Sequence, residues 1–135
     1  MKRIVFAALG LLATGFAVAE NLTGLDRFIC SSQTAQVCLE TGDCYAATPY
    51  EIAVPDFIVI DLDDKTVSTT RASGQERSSE FSKVEKADGL IHVQGIEDDR
   101  AFSFVIHEIT GRLTAAIARD GMAVNVFGAC TDVDI

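Results

Sequence analysis

The sequence predicts an all-β fold: an antiparallel meander of seven to eight strands, curled into a small barrel or a sandwich and stapled by disulfides. Three observations predict it. The stretch from Ala101 to Thr131 (AFSFVIHEITGRLTAAIARDGMAVNVFGACT) reads as three successive strands joined by turn-forming residues. Asp88-Gly89 and Asp120-Gly121 are suited to two-residue hairpin turns, whose central residues need φ > 0. Beyond the N-terminal leader, no segment carries a helical period.

The C-terminal register follows from those turns. With Asp120-Gly121 at a hairpin tip, Ile117 faces Val124 and Ala115 faces Val126. With Glu108 to Gly111 as a four-residue loop, Ile106 faces Leu113 and Phe104 faces Ala115. The apolar residues of all three strands then share one face, as a half-buried sheet requires. A slip by one residue would put Phe102, Phe104 and Ile106 into water. Leu113 to Ala118 is too short, between two turn signals, to be a helix.

At the other end, Lys2 and Arg3 precede the apolar run Ile4 to Phe16, and Ala17-Val18-Ala19 fits a small-x-small cleavage site. The run is too short to span a bilayer. We therefore expect residues 1–19 to be a cleaved signal peptide and residues 20–135 a single β domain starting at Glu20. The expected location is periplasmic or secreted. The cleavage site has no cysteine, so neither a lipid anchor nor another membrane attachment is expected. Loss of Lys2 and Arg3 takes the formal charge from −9 to −11. That excludes a nucleic-acid partner, which needs clustered Lys and Arg. It fits either a solubilising charge or a cationic protein partner of the envelope or extracellular space.

From the cleavage site, Glu20 to Leu25 reads as a lead-in and Arg27 to Cys30 as a short strand. Ser31 to Tyr50 is the least regular stretch, and Thr34 to Leu39 could be a helical turn or a strand. Pro49 and Pro55 keep Tyr50 to Val54 away from helix. Phe57 to Leu62 is a strand, Asp63-Asp64 a tight turn, and Lys65 to Thr70 the return, with Ile60 opposite Val67. Arg71 to Ser79 is a polar loop. Glu80 to Lys86 and Leu90 to Gly95 flank the Asp88-Gly89 turn. Ile96 to Asp99, taken as a four-residue loop, sets Val93 opposite Phe102 and Ile91 opposite Phe104. Short connections make neighbouring strands antiparallel.

All four cysteines lie after the leader, at Cys30, Cys38, Cys44 and Cys130. An even count in an exported chain implies two disulfides, with three pairings possible. We expect Cys38–Cys44, a local loop, and Cys30–Cys130, which ties the first strand to the last. In the chain-entropy model these contribute ~2 and ~5 kcal/mol respectively. A zinc site lacks a CxxC pair and a nearby histidine.

Candidate chemistry is sparse. His92 and His107 point away from the apolar face by strand parity. The expected register sets His92 across from Ser103, but a hydrolase would want its nucleophile on an exposed turn. Asp61, Asp63 and Asp64 surround one turn and Glu97, Asp98 and Asp99 another. Neither forms a calcium loop, and solvated turn-forming acids are expected. Without tryptophan there is no sugar platform. No cofactor or metal is expected. The remaining candidate is the Arg71 to Arg77 loop: Ser73 and Gly74 would let it protrude, and Arg71 and Arg77 could anchor in a partner.

The exported start, Phe28-x-Cys30, the meander and the closing Gly128-Ala129-Cys130-Thr131 resemble small uncharacterised exported bacterial β-proteins. More faintly, they resemble the periplasmic and membrane-bound inhibitors of C-type lysozyme. That resemblance implies a small β-barrel with an early cysteine bonded to one near the end. It also implies a Ser-Gly-containing loop inserted into the lysozyme cleft, for which Ala72-Ser73-Gly74 would stand. Glu76-Arg77-Ser78 departs from that family, which has an aromatic residue soon after Ser-Gly. Three functions are therefore expected in order: a non-catalytic binding module presenting the Arg71–Arg77 loop, for instance as an inhibitor; a carbohydrate-binding barrel or small envelope hydrolase; and a barrel holding an apolar ligand.

Overall fold

β1 (Arg27–Leu39) buries Phe28, Cys30, Ala35 and Val37, and the residues between them, polar apart from Ile29, are partly or fully exposed. The parity changes between Cys30 and Ala35, and the register against the last strand shifts between Ser32 and Thr34. A bulge there keeps both halves of the strand facing inward. The computed structural model describes residues 21–133, and the expected leader lies outside the described residues.

The other strands are β2 (Cys44–Ala47), β3 (Phe57–Asp61), β4 (Thr66–Thr69), β5 (Ser78–Ala87), β6 (Leu90–Glu97), β7 (Arg100–His107), β8 (Arg112–Arg119) and β9 (Met122–Asp132). β3 to β9 run as an antiparallel meander, and β1 pairs β3 on one side and β9 on the other. This closes an eight-stranded barrel. β2 is a ninth strand, paired to the second half of β1 beyond the point where β3 lets go. Closure gives every barrel strand a partner on both sides, and the edges left open are the outer side of β2 and the part of β5 beyond Glu80, which β4 does not reach.

The three C-terminal strands have the register expected from their turns: Ile117 faces Val124, Ala115 faces Val126, Ile106 faces Leu113 and Phe104 faces Ala115. Ile60 faces Val67 as well. One register differs. Val93 faces Phe104 and Ile91 faces Ile106, because Asp98-Asp99 alone makes the turn between Glu97 and Arg100, with Asp98 at φ 53°. The shift is by two residues, so each side chain keeps its face. Phe102 then lies opposite Gly95, and its ring occupies the space where a Cβ on Gly95 would stand.

Two irregular stretches are also more ordered than the sequence suggests. Ser31 to Leu39 continues β1, and Thr34 to Leu39 is strand. Tyr50–Ile52 forms a single 3₁₀ turn that starts from Pro49. Proline is compatible there, because its missing N–H falls where a helical turn has no partner for one.

Cys30 bonds Cys130 across the β1–β9 ladder, and Cys38 bonds Cys44 across the β1–β2 hairpin. The first bridge is buried inside the barrel among Phe28, Ile58, Ile60 and the other core residues. Inward positions are apolar through the core, with Arg100 inward at one rim, and outward positions such as Lys83, Glu85, His92 and Gln94 are polar and exposed. That order is the reverse of a membrane-spanning barrel's. Among the described residues no helix is long and apolar enough to cross a membrane.

Candidate functional site

The two ends of the barrel differ. At one end Leu22, only 1% exposed, is folded under the strands, with its N–H donating to the Glu108 carbonyl at 2.6 Å. Leu25 and Leu62 pack beside it in the same core. That end is plugged by the chain itself.

At the other end the core is incomplete. A cavity of about 80 Å³ lies between Phe102, Phe104, Leu113, Ala115 and Val126 within and the segment Ala53-Val54-Pro55 at the rim. Its origin is local. Phe104 and Val126 both lie opposite Ala115, a small residue between two larger ones. The rings of Phe102 and Phe104 stand 5.0 Å apart and tilted, forming one wall.

Polar side chains gather at the rim. Arg77 stands just before β5 and Glu97 closes β6, and the two make a two-pronged ion pair. Arg77 Nη2 donates to both carboxylate oxygens at 3.0 and 3.1 Å, and Nε donates to Oε1 at 3.2 Å. Arg77 Nη1 also donates to the Ala53 carbonyl at 3.0 Å, on a residue held at φ 55°. Planar guanidinium suits this grip, where a lysine would offer only a point charge.

Arg100 is the third charge at the rim. It opens β7 on the parity of Phe102 and Phe104 and lines the cavity with them. Among the described residues, its Nε is the one buried side-chain nitrogen or oxygen without a hydrogen-bond partner. Asp99 beside it is engaged by Arg119, whose Nη2 donates at 2.7 Å, and that hydrogen bond holds the Asp99 carboxyl below the usual carboxylate range.

The expected site residues divide. Arg71, Ser73 and Gly74 sit together in an exposed 3₁₀ turn (Arg71–Ser73) that ends on Gly74 at φ 69°. The turn is held by its own bonds: Ser73 Oγ donates to the Thr70 carbonyl at 2.6 Å and accepts from the Gln75 N–H at 3.2 Å. Arg77 is not with them. It is half-buried and turned back onto the barrel.

The other candidates fall into structural roles. His92 lies opposite Val105 and Ser103 opposite Gln94, so the Ser–His pair does not form. His107 Nδ1 accepts the Thr110 N–H at 3.3 Å within its loop. Asp61 accepts the Asp64 N–H at 2.9 Å and lies 3.9 Å from Arg27. Among the described residues no three His, Cys, Asp or Glu side chains converge as a metal group.

Of the expected binding residues only Arg77 lines this cavity. Arg100 was the available signal: an arginine at the start of a strand, two residues before an inward phenylalanine, must also face inward. The chain matches no protein-family model, no curated protein and no solved structure.

Proposed function

We propose that this protein is an exported, non-catalytic binding module that holds a small apolar molecule at the open end of its barrel. One observation carries this reading: an apolar cavity opening at a polar rim, in a barrel whose opposite end is filled by Leu22. Small-molecule sites are concave and mostly apolar, with a few polar groups at the entrance. An eight-stranded barrel has room for side chains and one small ligand.

The test is a titration of the oxidised protein with 1-octanol, followed by the NMR methyl signals of Leu113, Ala115 and Val126. Saturable shifts confined to the cavity walls are expected, and Ala115→Leu, which fills the space, should abolish them. Absence of saturable shifts, or unchanged binding by Ala115→Leu, would overturn the proposal.

One observation favours a second reading, in which the loop acts as an inhibitor of a cationic envelope protein. Arg71 to Glu76 is exposed along its whole length. Capture of a purified lysozyme by the wild type, weakened by salt and lost in Ser73→Ala, would support that reading. Absence of capture at both low and moderate salt would remove it.

A further inference from the structure

We infer that the ligand is a monocarboxylate with a short apolar tail, its head group bound by Arg100 and its tail lying between Phe102, Phe104 and Ala115. This rests on the proposed use of the same cavity as a ligand site.

The argument starts from the cost of the arginine. Among the described residues no polar or charged residue is fully buried, and Arg100, partly buried at an inward position, has its Nε shut off from solvent without a partner. A buried donor without an acceptor is unfavourable, and a charged one more so. The anion nearest in register, Glu97, is taken on both oxygens by Arg77. Of the three charged side chains that line the cavity, Arg77 and Glu97 answer each other, which leaves Arg100; Asp99, the next residue, acts on it only through space, its carboxylate being hydrogen-bonded to Arg119. Inside the cavity lining the surplus charge is therefore a guanidinium, which favours an anion. A single guanidinium matches a single carboxylate in shape and charge.

The tail follows from the walls and the space. The surfaces behind Arg100 are phenyl rings, Leu113, Ala115 and Val126. A water needs about 10–15 Å³ of such free space, so a cavity of about 80 Å³ takes roughly five to eight water-sized groups. That is the bulk of a tail of about five to eight carbons, not of a long-chain fatty acid.

The experiment compares sodium octanoate, 1-octanol and sodium acetate by calorimetry on the oxidised protein, with Arg100→Leu and Arg100→Lys beside the wild type. Octanoate should bind at least about tenfold tighter than octanol, the loss expected for one charge-assisted hydrogen bond. Acetate should bind far more weakly than either. Arg100→Leu should bring octanoate and octanol within about threefold of each other, and Arg100→Lys should restore part of the preference. Equal binding of octanoate and octanol by the wild type would overturn the head-group assignment and leave the cavity reading standing. Binding of neither would overturn both. Acetate binding as tightly as octanoate would overturn the assignment of the tail. Should Arg100→Leu not fold, the wild-type comparison decides alone.

Discussion

Arg77 and Glu97 stand 20 residues apart in the chain and close on each other beside the cavity mouth. Among the described residues this is the one ion pair made by the segment from Arg71 to Arg77. Both side chains are less than a third exposed, and the same guanidinium also holds the Ala53 carbonyl. Arg77→Ala should therefore cost about 1–2 kcal/mol, more than an exposed pair. Ser73→Ala, on the solvent side of the loop, should cost less than about 0.5 kcal/mol. Urea denaturation of the two variants checks this, and equal losses would show that Arg77 does not tie the loop to the barrel.

The two disulfides should differ in weight. Cys30–Cys130 spans 100 residues and Cys38–Cys44 spans 6. Replacing the first pair by alanines should cost about 4–5 kcal/mol and the second about 2 kcal/mol, in the chain-entropy model. Thermal unfolding of the two double variants measures the difference, and a larger loss from the short bridge would contradict it.

Gly128 permits a close approach of β9 to β1. A Cβ there would run into the Ser31 carbonyl oxygen, a backbone atom fixed in the ladder beside the bulge. Gly128→Ala should cost more than about 2 kcal/mol by overpacking. Gly42→Ala, where nothing lies within 4 Å, meets only the strain of φ 91° and should cost less. Melting temperatures that fall in the opposite order would refute the steric account.

Asp99 supplies a pH prediction. The Arg119 hydrogen bond lowers its pKa, and Glu51 is lowered by the backbone N–H of Thr48 at 2.7 Å. For a carboxyl depressed in the folded state, the stabilisation is present above the unfolded pKa and is lost as pH falls through the folded one. Both groups are solvent-exposed, so the effect on global stability should be small. A carbon-detected NMR titration should find Asp99 protonating below the ordinary carboxylate range, and Arg119→Ala should return it to that range. An unshifted Asp99 in the wild type would refute the bond.

Much of the barrel was legible because its turns are chemically explicit. Asp120-Gly121 fixes the register of β8 on β9, and strand parity carries that register into the core through Ala115 and Phe104. Asp98-Asp99 was harder, since the tight turn needs a non-glycine residue at φ 53°, which composition does not announce. The middle of β1 was hidden for a different reason. Ser31-Ser32-Gln33-Thr34 is small and polar and reads as loop, yet it runs along β9, with Ser31 also paired to β3, and the ladder supplies what its side chains do not. The loop from Arg71 to Arg77 was visible as a loop, but the inward turn of Arg77 depends on Glu97, a partner no local pattern reveals. The cavity arises from the small Ala115 across two ladders, a property of the closed barrel rather than of any one strand.

The closure of β1 on β9 sets the order in which the molecule can be made. The first described strand has its long partner among the last dozen described residues, so the nascent chain carries β1 unpaired on that side until the end arrives. Contacts of such wide sequence separation fold slowly. Truncation within Met122–Asp132 should then leave both β1 and β8 as open apolar edges, a product that sticks to its own kind rather than a smaller working barrel.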